Sequence, residues 1–276
     1  MFNRRLFCQL LGLSLVVAGF LLWVPLVLAD EKTAEMAEIV VTATRTEKTI
    51  EDTPASVSVV TQKDIEKRNI TSIDEALNTT AGVANQRVKG ILDTSPRVTV
   101  GGISGYQRTL VLLDGITLNN AYTGNVLWNM IMPEDVARIE VVKGPFSSLY
   151  GGYAMGGVVS IMTKMPEKRE FTVMYGYGTA WSRGEAPGDL KTTYLSYGDK
   201  IDNKLRLYVS YWNNSTNGYF GNFDVQSSKP TAGITGWSAT TDNKGNPRFI
   251  IGRQGQNTMW GDGVTTKVGY DFSATS

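Results

Sequence analysis

The chain has 276 residues, of which 42% are hydrophobic and 19% charged, and its net charge is +1. This length allows one or two domains with a buried core. The sequence contains no His and a single Cys, so it lacks the commonest general base and zinc ligand and cannot form an internal disulfide. A nearly neutral chain has no basic field to attract nucleic acid. We therefore expect no enzyme activity, no metal, no cofactor and no nucleic-acid partner.

Residues 1–29 have the pattern of a secretory signal peptide. Arg4 and Arg5 form its positive start, and an apolar run that ends at Ala29 follows. The alternative is a membrane anchor, because this run approaches the roughly 20 residues that span a bilayer. Pro25 and the residues before the polar sequence that follows favour cleavage after Ala29.

Residues 30–48 form a polar linker with one short β-branched run. The run consists of Glu38, Ile39, Val40, Val41, Thr42 and Ala43. Two interpretations stay open for it. It is the edge strand of the next domain, or it is a peptide that pairs with the exposed sheet edge of a partner, where backbone hydrogen bonds provide the affinity.

Residues 49–165 predict a compact α/β domain. Alternating side chains over residues 55–61 predict a strand, and Thr61 is placed to cap the helix that follows. Ser72 and Glu75 have the spacing of a capping box, in which each side chain satisfies a free backbone donor at the start of a second helix.

A β-hairpin is predicted where Asp114 and Gly115 separate two apolar runs, residues 109–113 and 116–118. This dipeptide favours the two-residue turns whose twist matches that of the flanking strands.

Pro133 is well placed to begin a one-turn helix. Its neighbours Glu134 and Asp135 are then ordinary acids at a helix start, where they interact favourably with the helix dipole. Two more strands are predicted over residues 136–142 and 158–163.

Short motifs follow one another in a fixed order between residues 38 and 165. They are Ile39-Val40-Val41-Thr42-Ala43, Pro54-Ala55-Ser56-Val57-Ser58-Val59-Val60-Thr61, Leu110-Val111-Leu112-Leu113-Asp114-Gly115, Val141-Val142-Lys143-Gly144-Pro145, Leu149-Tyr150-Gly151, Ala154-Met155-Gly156-Gly157-Val158-Val159 and Ile161-Met162-Thr163-Lys164. Each motif alone is weak, but the ordered set is specific. In this order and near this spacing, it resembles the beginning of a TonB-dependent outer-membrane receptor.

The resemblance implies that residues 49–165 are the plug inside a barrel. It implies that residues 38–43 are the TonB box, which pairs with the C-terminal domain of TonB in the periplasm. The expected location is the outer membrane of a Gram-negative bacterium. The expected function is energy-coupled uptake of a large scarce solute, a ferric siderophore in the first place and cobalamin as the alternative.

One departure from the family pattern concerns the attachment of the plug. Where the family often has Arg-Gly after a plug strand, this chain has Gly101 and Gly102. If that Arg holds the plug against acids of the barrel wall, its absence leaves the attachment open.

The resemblance also implies that ligand binds to loops at the outer apex of the plug, here residues 88–95 and 119–128. The candidate ligand-binding residues are Arg87, Lys89, Tyr122, Asn125 and Trp128, because aromatic and cationic groups suit bulky anionic chelates. The alternative is that Trp128 belongs to the core and that the charged groups are merely solvated.

From about residue 170 the pattern changes to alternating strands. A soluble sandwich would bury the apolar face, whereas an outer-membrane barrel turns it towards lipid. Aromatic residues near strand ends, and a short connection at 201–203 against a long one at 214–263, favour the barrel. The predicted strands cover residues 171–177, 190–200, 204–211 and 264–272.

The length of the chain limits this barrel. Plugged transporters have about 22 strands of roughly 10 residues each, whereas only 110 residues follow Pro166. The predicted fold is therefore an α+β plug domain followed by the start of a transmembrane antiparallel β-barrel, about four strands in residues 166–276, which the chain is too short to close. We expect the front part of a longer receptor. The alternatives are a plug that acts as a non-transporting binding module and a fragment from a decayed gene.

Overall fold

The computed structural model describes residues 39–40, 48–49, 55–88, 93–178, 190–220, 223–231, 233, 235–253 and 255–272. The predicted signal peptide, residues 1–29, lies outside this set, as do Glu38 and residues 41–43 of the predicted TonB box. Within the described residues, no helix is both long and apolar enough to cross a membrane.

A five-stranded sheet, here called the plug sheet, forms the centre of the first domain, with strand order β3-β8-β9-β6-β7. Strands β6 and β9 are parallel, and the other pairs are antiparallel. The predicted hairpin is confirmed, since Asp114 and Gly115 have φ of 47° and 85° between β6 and β7. The strands are β3 Ser56–Thr61, β6 Thr109–Leu113, β7 Ile116–Thr117, β8 Val136–Lys143 and β9 Gly157–Thr163.

Short helices and a small two-stranded ladder complete this domain. The ladder pairs β4 with β5, and Pro133 begins a single 3-10 turn as predicted. The elements are α1 Gln62–Lys67, α2 Ile73–Ala76, β4 Val83–Gln86, β5 Arg97–Val100, α3 Ser147–Tyr150 and the 3-10 turns Leu77–Thr79, Trp128–Met130 and Pro133–Asp135.

The two predicted helix caps have different outcomes. Thr61 caps α1 and accepts a hydrogen bond from the backbone N–H of Asp64, so that prediction is confirmed. The capping box of Ser72 and Glu75 is wrong, because Ser72 makes no side-chain cap bond and its hydroxyl contacts Asp74 instead. Glu75 accepts from the hydroxyl of Thr71.

The hydrophobic core lies between the plug sheet and the helices. Ile65 of α1, Ile73 of α2 and Leu77 pack in one cluster with sheet residues such as Ile139 and Ile161. Four of these five side chains have no exposed surface. Burial of each such aliphatic side chain contributes about 1.5–3 kcal/mol.

A four-stranded antiparallel meander, here called the wall sheet, follows the plug, with strand order β10-β11-β12-β16. Along β10, Phe171, Val173, Tyr175 and Tyr177 are each at least 60% exposed. The alternation predicted from the sequence is therefore present, and the structure confirms the predicted plug domain with the beginning of a barrel. The strands are β10 Glu170–Gly178, β11 Leu190–Ile201, β12 Leu205–Phe220 and β16 Gln256–Tyr270.

The long connection between β12 and β16 contains a second sheet that the sequence pattern did not predict. This loop sheet has the order β13-β15-β14, with β13 Phe223–Gln226, β14 Ser238–Thr241 and β15 Pro247–Arg253. Every residue of β14 is exposed. A strand that is wet on both faces has no apolar alternation, so periodicity could not reveal it.

The glycine-rich segment before β9 generates the first testable prediction. A Cβ on Gly156 would lie 2.5 Å from the carbonyl oxygen of Val100, whereas a Cβ on Gly152 would meet nothing within 4 Å. Gly156→Ala is expected to lower the free energy of unfolding of the plug by about 1–3 kcal/mol through overpacking. Denaturant unfolding of the full-length receptor measures this change, with Gly152→Ala as the matched control. Equal stability of the two variants would contradict the packing shown here.

Candidate functional site: the plug–wall contact and the outer loops

The main polar contact between plug and wall is built around Asp135. This residue ends the 3-10 turn that Pro133 begins, directly before β8, and it is 3% exposed. An ionised carboxylate at such a position needs several hydrogen-bond donors to offset its desolvation.

The donors are hydroxyl groups on three strands of the wall sheet. Tyr194 and Tyr208 donate to Oδ1 of Asp135 at 2.7 and 2.9 Å. Ser210 and Thr265 donate to Oδ2 at 3.0 and 3.1 Å. We call Asp135 and these four residues the hydroxyl cluster. It fixes the start of β8 to β11, β12 and β16 at once.

The hydroxyl cluster was missed by the sequence analysis. Asp135 was expected to be an ordinary helix-start acid. The structure corrects this, because its side chain accepts hydrogen bonds from residues of the wall sheet. The available signal was the polar face of the wall strands, where Tyr208 and Ser210 alternate with the exposed Val209 and Tyr211.

A second contact joins the hairpin turn of the plug to β16. Nζ of Lys267 lies 3.1 Å from Oδ2 of Asp114 and 2.6 Å from the hydroxyl of Thr163. Burial alone would raise the pKa of Asp114, but hydrogen bonds from Thr163 and Lys267 outweigh it and lower the pKa below its usual 3.8. The ionised carboxylate of Asp114 therefore stabilises the folded protein at pH values above its usual pKa, and this stabilisation is lost as the pH falls.

The departure at Gly101 and Gly102 has a local explanation. Both residues have left-handed φ, 64° and 76°. A Cβ on Gly101 would lie 2.9 Å from the carbonyl oxygen of Gly156. An Arg at position 101 would be strained in this conformation, and the plug contacts the wall through Asp135 and Asp114 instead.

The connection from plug to wall is held by an ion-pair network at the rim where β11 meets β12. Glu167 pairs with Lys200 at 2.7 Å and with Arg206 at 3.0 Å, and Arg206 pairs with Asp271 at 2.5 Å. Glu167 is exposed, so its two pairs each contribute little, whereas Arg206 and Asp271 are half-buried. The network joins the segment before β10 to the β11–β12 turn and to the end of β16.

The second predicted apex loop contacts the described part of the first one, and Asn119 organises this second loop. This buried side chain donates to the carbonyls of Thr109 and Gly124 and accepts from the N–H of Val111. The loop meets the first one at Ser95, whose hydroxyl accepts from Asn125 at 3.1 Å.

The five candidate ligand residues fall in different environments. Tyr122 is 90% exposed at the tip of its loop, and Asn125 is half-buried at the loop junction. Trp128 is 2% exposed and belongs to the core, which corrects its placement at the apex surface. Lys89 lies outside the described residues.

Arg87 is committed to a structural contact. Its guanidinium bonds Asp74 and Glu75, each at 2.7 Å, and the Asp74 side chain is fully buried. Burial alone would lower the pKa of Arg87, but these carboxylates raise it. This contact connects α2 to the segment after β4, so Tyr122 and Asn125 are the accessible candidates among the described ones.

The described part of the predicted TonB box is extended. Ile39–Val40 forms β1, which pairs antiparallel with β2, Lys48–Thr49. This two-stranded ladder is separate from the plug sheet. In the described residues, β1 is therefore not an edge strand of the plug sheet, which was one of the two interpretations.

Comparison with known proteins assigns this architecture to a class of membrane receptors. Residues 49–158 match the model of the TonB-dependent receptor plug domain. Over 175 residues the chain is 34% identical to the vitamin B12 transporter BtuB of Vibrio vulnificus, covering 59% of this chain and 28% of that protein. Over 188 residues it is 30% identical to the iron-regulated outer membrane virulence protein of Vibrio cholerae, covering 66% of this chain and 28% of that protein.

One solved structure shares most of the fold. The pyoverdine-bound FpvA of P. aeruginosa aligns with a TM-score of 0.52 at 17% identity, covering 86% of this chain and 34% of FpvA. The chain spans 28% of the length of the curated relatives above. Residues 49–158 are therefore a plug domain of the TonB-dependent receptor family, and the relatives include an outer membrane protein of Vibrio cholerae. The relatives are transporters and receptors rather than enzymes.

The hydroxyl cluster generates the second prediction. Asp135→Asn replaces one acceptor oxygen by an NH2 group and removes the negative charge, so the hydroxyls facing that position can no longer donate to it and the remaining hydrogen bonds lose their charge assistance. The free energy of plug unfolding is expected to fall by about 3 kcal/mol, the upper value for a hydrogen bond to a charged group. Denaturant unfolding of the full-length receptor provides the measurement.

The matched control is Asp202→Asn at an exposed turn. Asp202 has φ of 50°, which Asn adopts equally well, so the control is expected to keep wild-type stability. An Asp135→Asn receptor as stable as this control would show that the cluster does not hold the plug.

Proposed function

We propose that the receptor containing this chain takes up a large, scarce solute across the outer membrane with energy supplied through TonB. The observation that carries the proposal is the docked plug itself. Its polar contacts hold it against the wall, while its outer loops present an exposed Tyr122. In a complete barrel, a plug held in this way would close the passage, and work from another compartment would be needed to open it.

The energy would arrive through residues 38–43. The outer membrane has no ATP, so a connection to the inner membrane is required. An extended, β-branched peptide suits pairing with the sheet edge of the TonB C-terminal domain. The extended conformation of Ile39–Val40 supports this role.

Ferric siderophores are the first candidate solutes, and the virulence protein of Vibrio cholerae, described as iron-regulated, agrees with them. Cobalamin is the second candidate, because of the similarity to vitamin B12 transporters. One feature favours an uncharged ligand of this second kind. Residues 119–130, which include the whole second apex loop, contain no charged side chain.

Uptake by the full-length receptor distinguishes these solutes. The receptor is expressed in a strain that lacks its own siderophore and cobalamin receptors, and uptake of iron-labelled siderophores and labelled cyanocobalamin is measured with and without TonB. TonB-dependent accumulation of one class is expected. Absence of both, with the receptor correctly inserted, would refute the proposal.

Val40→Pro tests energy coupling. Proline removes a backbone donor from the pairing strand, so uptake should fall to the level without TonB while ligand binding is unchanged. Val40→Ala is the control, because it shortens the side chain but keeps the N–H. Normal uptake by Val40→Pro would remove residues 38–43 as the coupling segment.

Tyr122→Ala tests the apex. Because Tyr122 is 90% exposed, its removal leaves the core intact, and ligand should bind roughly tenfold more weakly, as expected for an aromatic contact residue. Ile116→Ala, another exposed apolar position on the plug at 72%, is the control. Titration of the purified receptor with the transported solute gives both affinities, and equal values would exclude Tyr122.

A further inference from the structure

Tyr153 has a backbone conformation that is unusual for its residue type. Its φ is 66°, in the left-handed region. Within the described residues, five non-glycine residues have such a φ, and the other four are Asn or Asp, whose short side chains tolerate it. A bulky residue in this region is strained. Strained residues persist where the surrounding structure holds them in place, and they are concentrated at functional sites.

The ring of Tyr153 is anchored on the plug sheet. It packs against a buried cluster that includes Leu110 of β6 and Val158 of β9. The carbonyl of the next residue, Ala154, accepts a hydrogen bond from the backbone N–H of Phe146 at 2.9 Å. Ala154 itself has no exposed surface. The base of the Tyr153 side chain is therefore fixed to the packed centre of the plug.

The hydroxyl of Tyr153 reaches the second apex loop. It donates to the carbonyl of Ala121 at 3.1 Å and, over a longer distance of 3.4 Å, to the carbonyl of Asn120. These two residues directly precede Tyr122, the exposed candidate ligand residue. The Tyr153 side chain thus connects the plug sheet to the backbone that carries Tyr122.

The tip of this loop, residues 120–123, is exposed at every position. Inside the tip, Oδ1 of Asn120 accepts from the N–H groups of Tyr122 and Thr123, each at 3.0 Å. Bonds between residues so close in the chain set the shape of the tip, but they do not fix its position relative to the plug sheet. The hydrogen bond from Tyr153 provides this second restraint.

We infer that Tyr153 is a positioning residue, which holds the tip of the second apex loop so that Tyr122 is already in place when the solute arrives. This inference rests on the proposed uptake function. An exposed tip with few buried contacts opens easily, and ordering it during binding would weaken the affinity for the solute. A tip that is ordered in advance avoids this loss. The left-handed backbone of Tyr153 is what directs its hydroxyl to the tip.

Tyr153→Phe tests the inference, because it removes the hydroxyl and keeps the ring with its packing. The matched control is Tyr175→Phe, which removes a hydroxyl from the outward face of β10, where Tyr175 is 66% exposed. Both changes are made in the full-length receptor and compared with the wild type.

In the first arm no solute is added, and hydrogen–deuterium exchange is measured at single residues of the purified receptors. The N–H groups of Tyr122 and Thr123 are expected to exchange about fivefold faster in Tyr153→Phe, the effect of one lost hydrogen bond. The N–H of Leu118, which bonds to β6 at 2.9 Å, is expected to keep its rate. Equal exchange of the tip in Tyr153→Phe and in the control would overturn the positioning role, whether or not the receptor transports the solutes tested.

In the second arm, binding and uptake of iron-labelled siderophores and labelled cyanocobalamin are measured. Tyr153→Phe is expected to bind the transported solute about fivefold more weakly. The concentration that gives half-maximal uptake should rise by the same factor, while the maximal rate is unchanged. A general loss of folded receptor would instead lower the maximal rate. Unchanged affinity in Tyr153→Phe would overturn the inference.

Tyr122→Ala separates positioning from a direct contact between Tyr153 and the solute. Once Tyr122 is absent, Tyr153 has no ligand residue to hold in place, so in that background Tyr153→Phe should change the affinity by less than about twofold. The same loss in both backgrounds would show that Tyr153 acts independently of Tyr122. If the wild type binds none of the solutes, the proposed function fails, and the exchange measurement alone decides whether Tyr153 holds the tip.

Discussion

The burial of one carboxylate determines how this plug sits in its wall. Asp135 forms no ion pair within the described part of the chain, and four neutral hydroxyls from three strands satisfy it. Such an arrangement avoids the desolvation of a second charge, which is the main cost of a buried ion pair. It also requires that β11, β12 and β16 pair in the correct register, because only then do the four donors converge on Asp135. The register of the wall and the position of the plug thus support each other.

The wall sheet packs against the plug although its apolar side chains face away from it. Its apolar residues face outward, and the polar alternates face the plug, where a soluble sheet would place its core. Hydroxyl groups on that inner face are costly only if they remain unpaired. The plug provides acceptors at Asp135 and Asp114, so the polar face of the wall and the acidic residues of the plug satisfy each other.

The turns and caps of this fold that depend on residues close together in the sequence could be predicted. The Asp114-Gly115 turn, the Thr61 cap and the Pro133 turn depend on neighbours within a few residues, and all three are present. The Ser72 capping box failed because Asp74, only two residues away, competes for the Ser72 hydroxyl and is itself held by Arg87. The placement of Trp128 could not be decided from the sequence, because an aromatic residue in a loop suits a surface and a core equally well. The role of Asp135 depends on partners 59 to 130 positions away, which no local pattern reveals.

The position of Asp135 directly before β8 has a consequence for the return of the plug to its resting state. Strand β8 is the template on which β3 is aligned, from Ser56 opposite Lys143 to Thr61 opposite Arg138. If β3 is withdrawn while the hydroxyl cluster holds, the template keeps its place and its unpaired edge. When β3 returns, it needs only to pair again with β8 along six residues, in the register that β8 already sets. In the proposed uptake function, a plug built in this way would recover its own strand register.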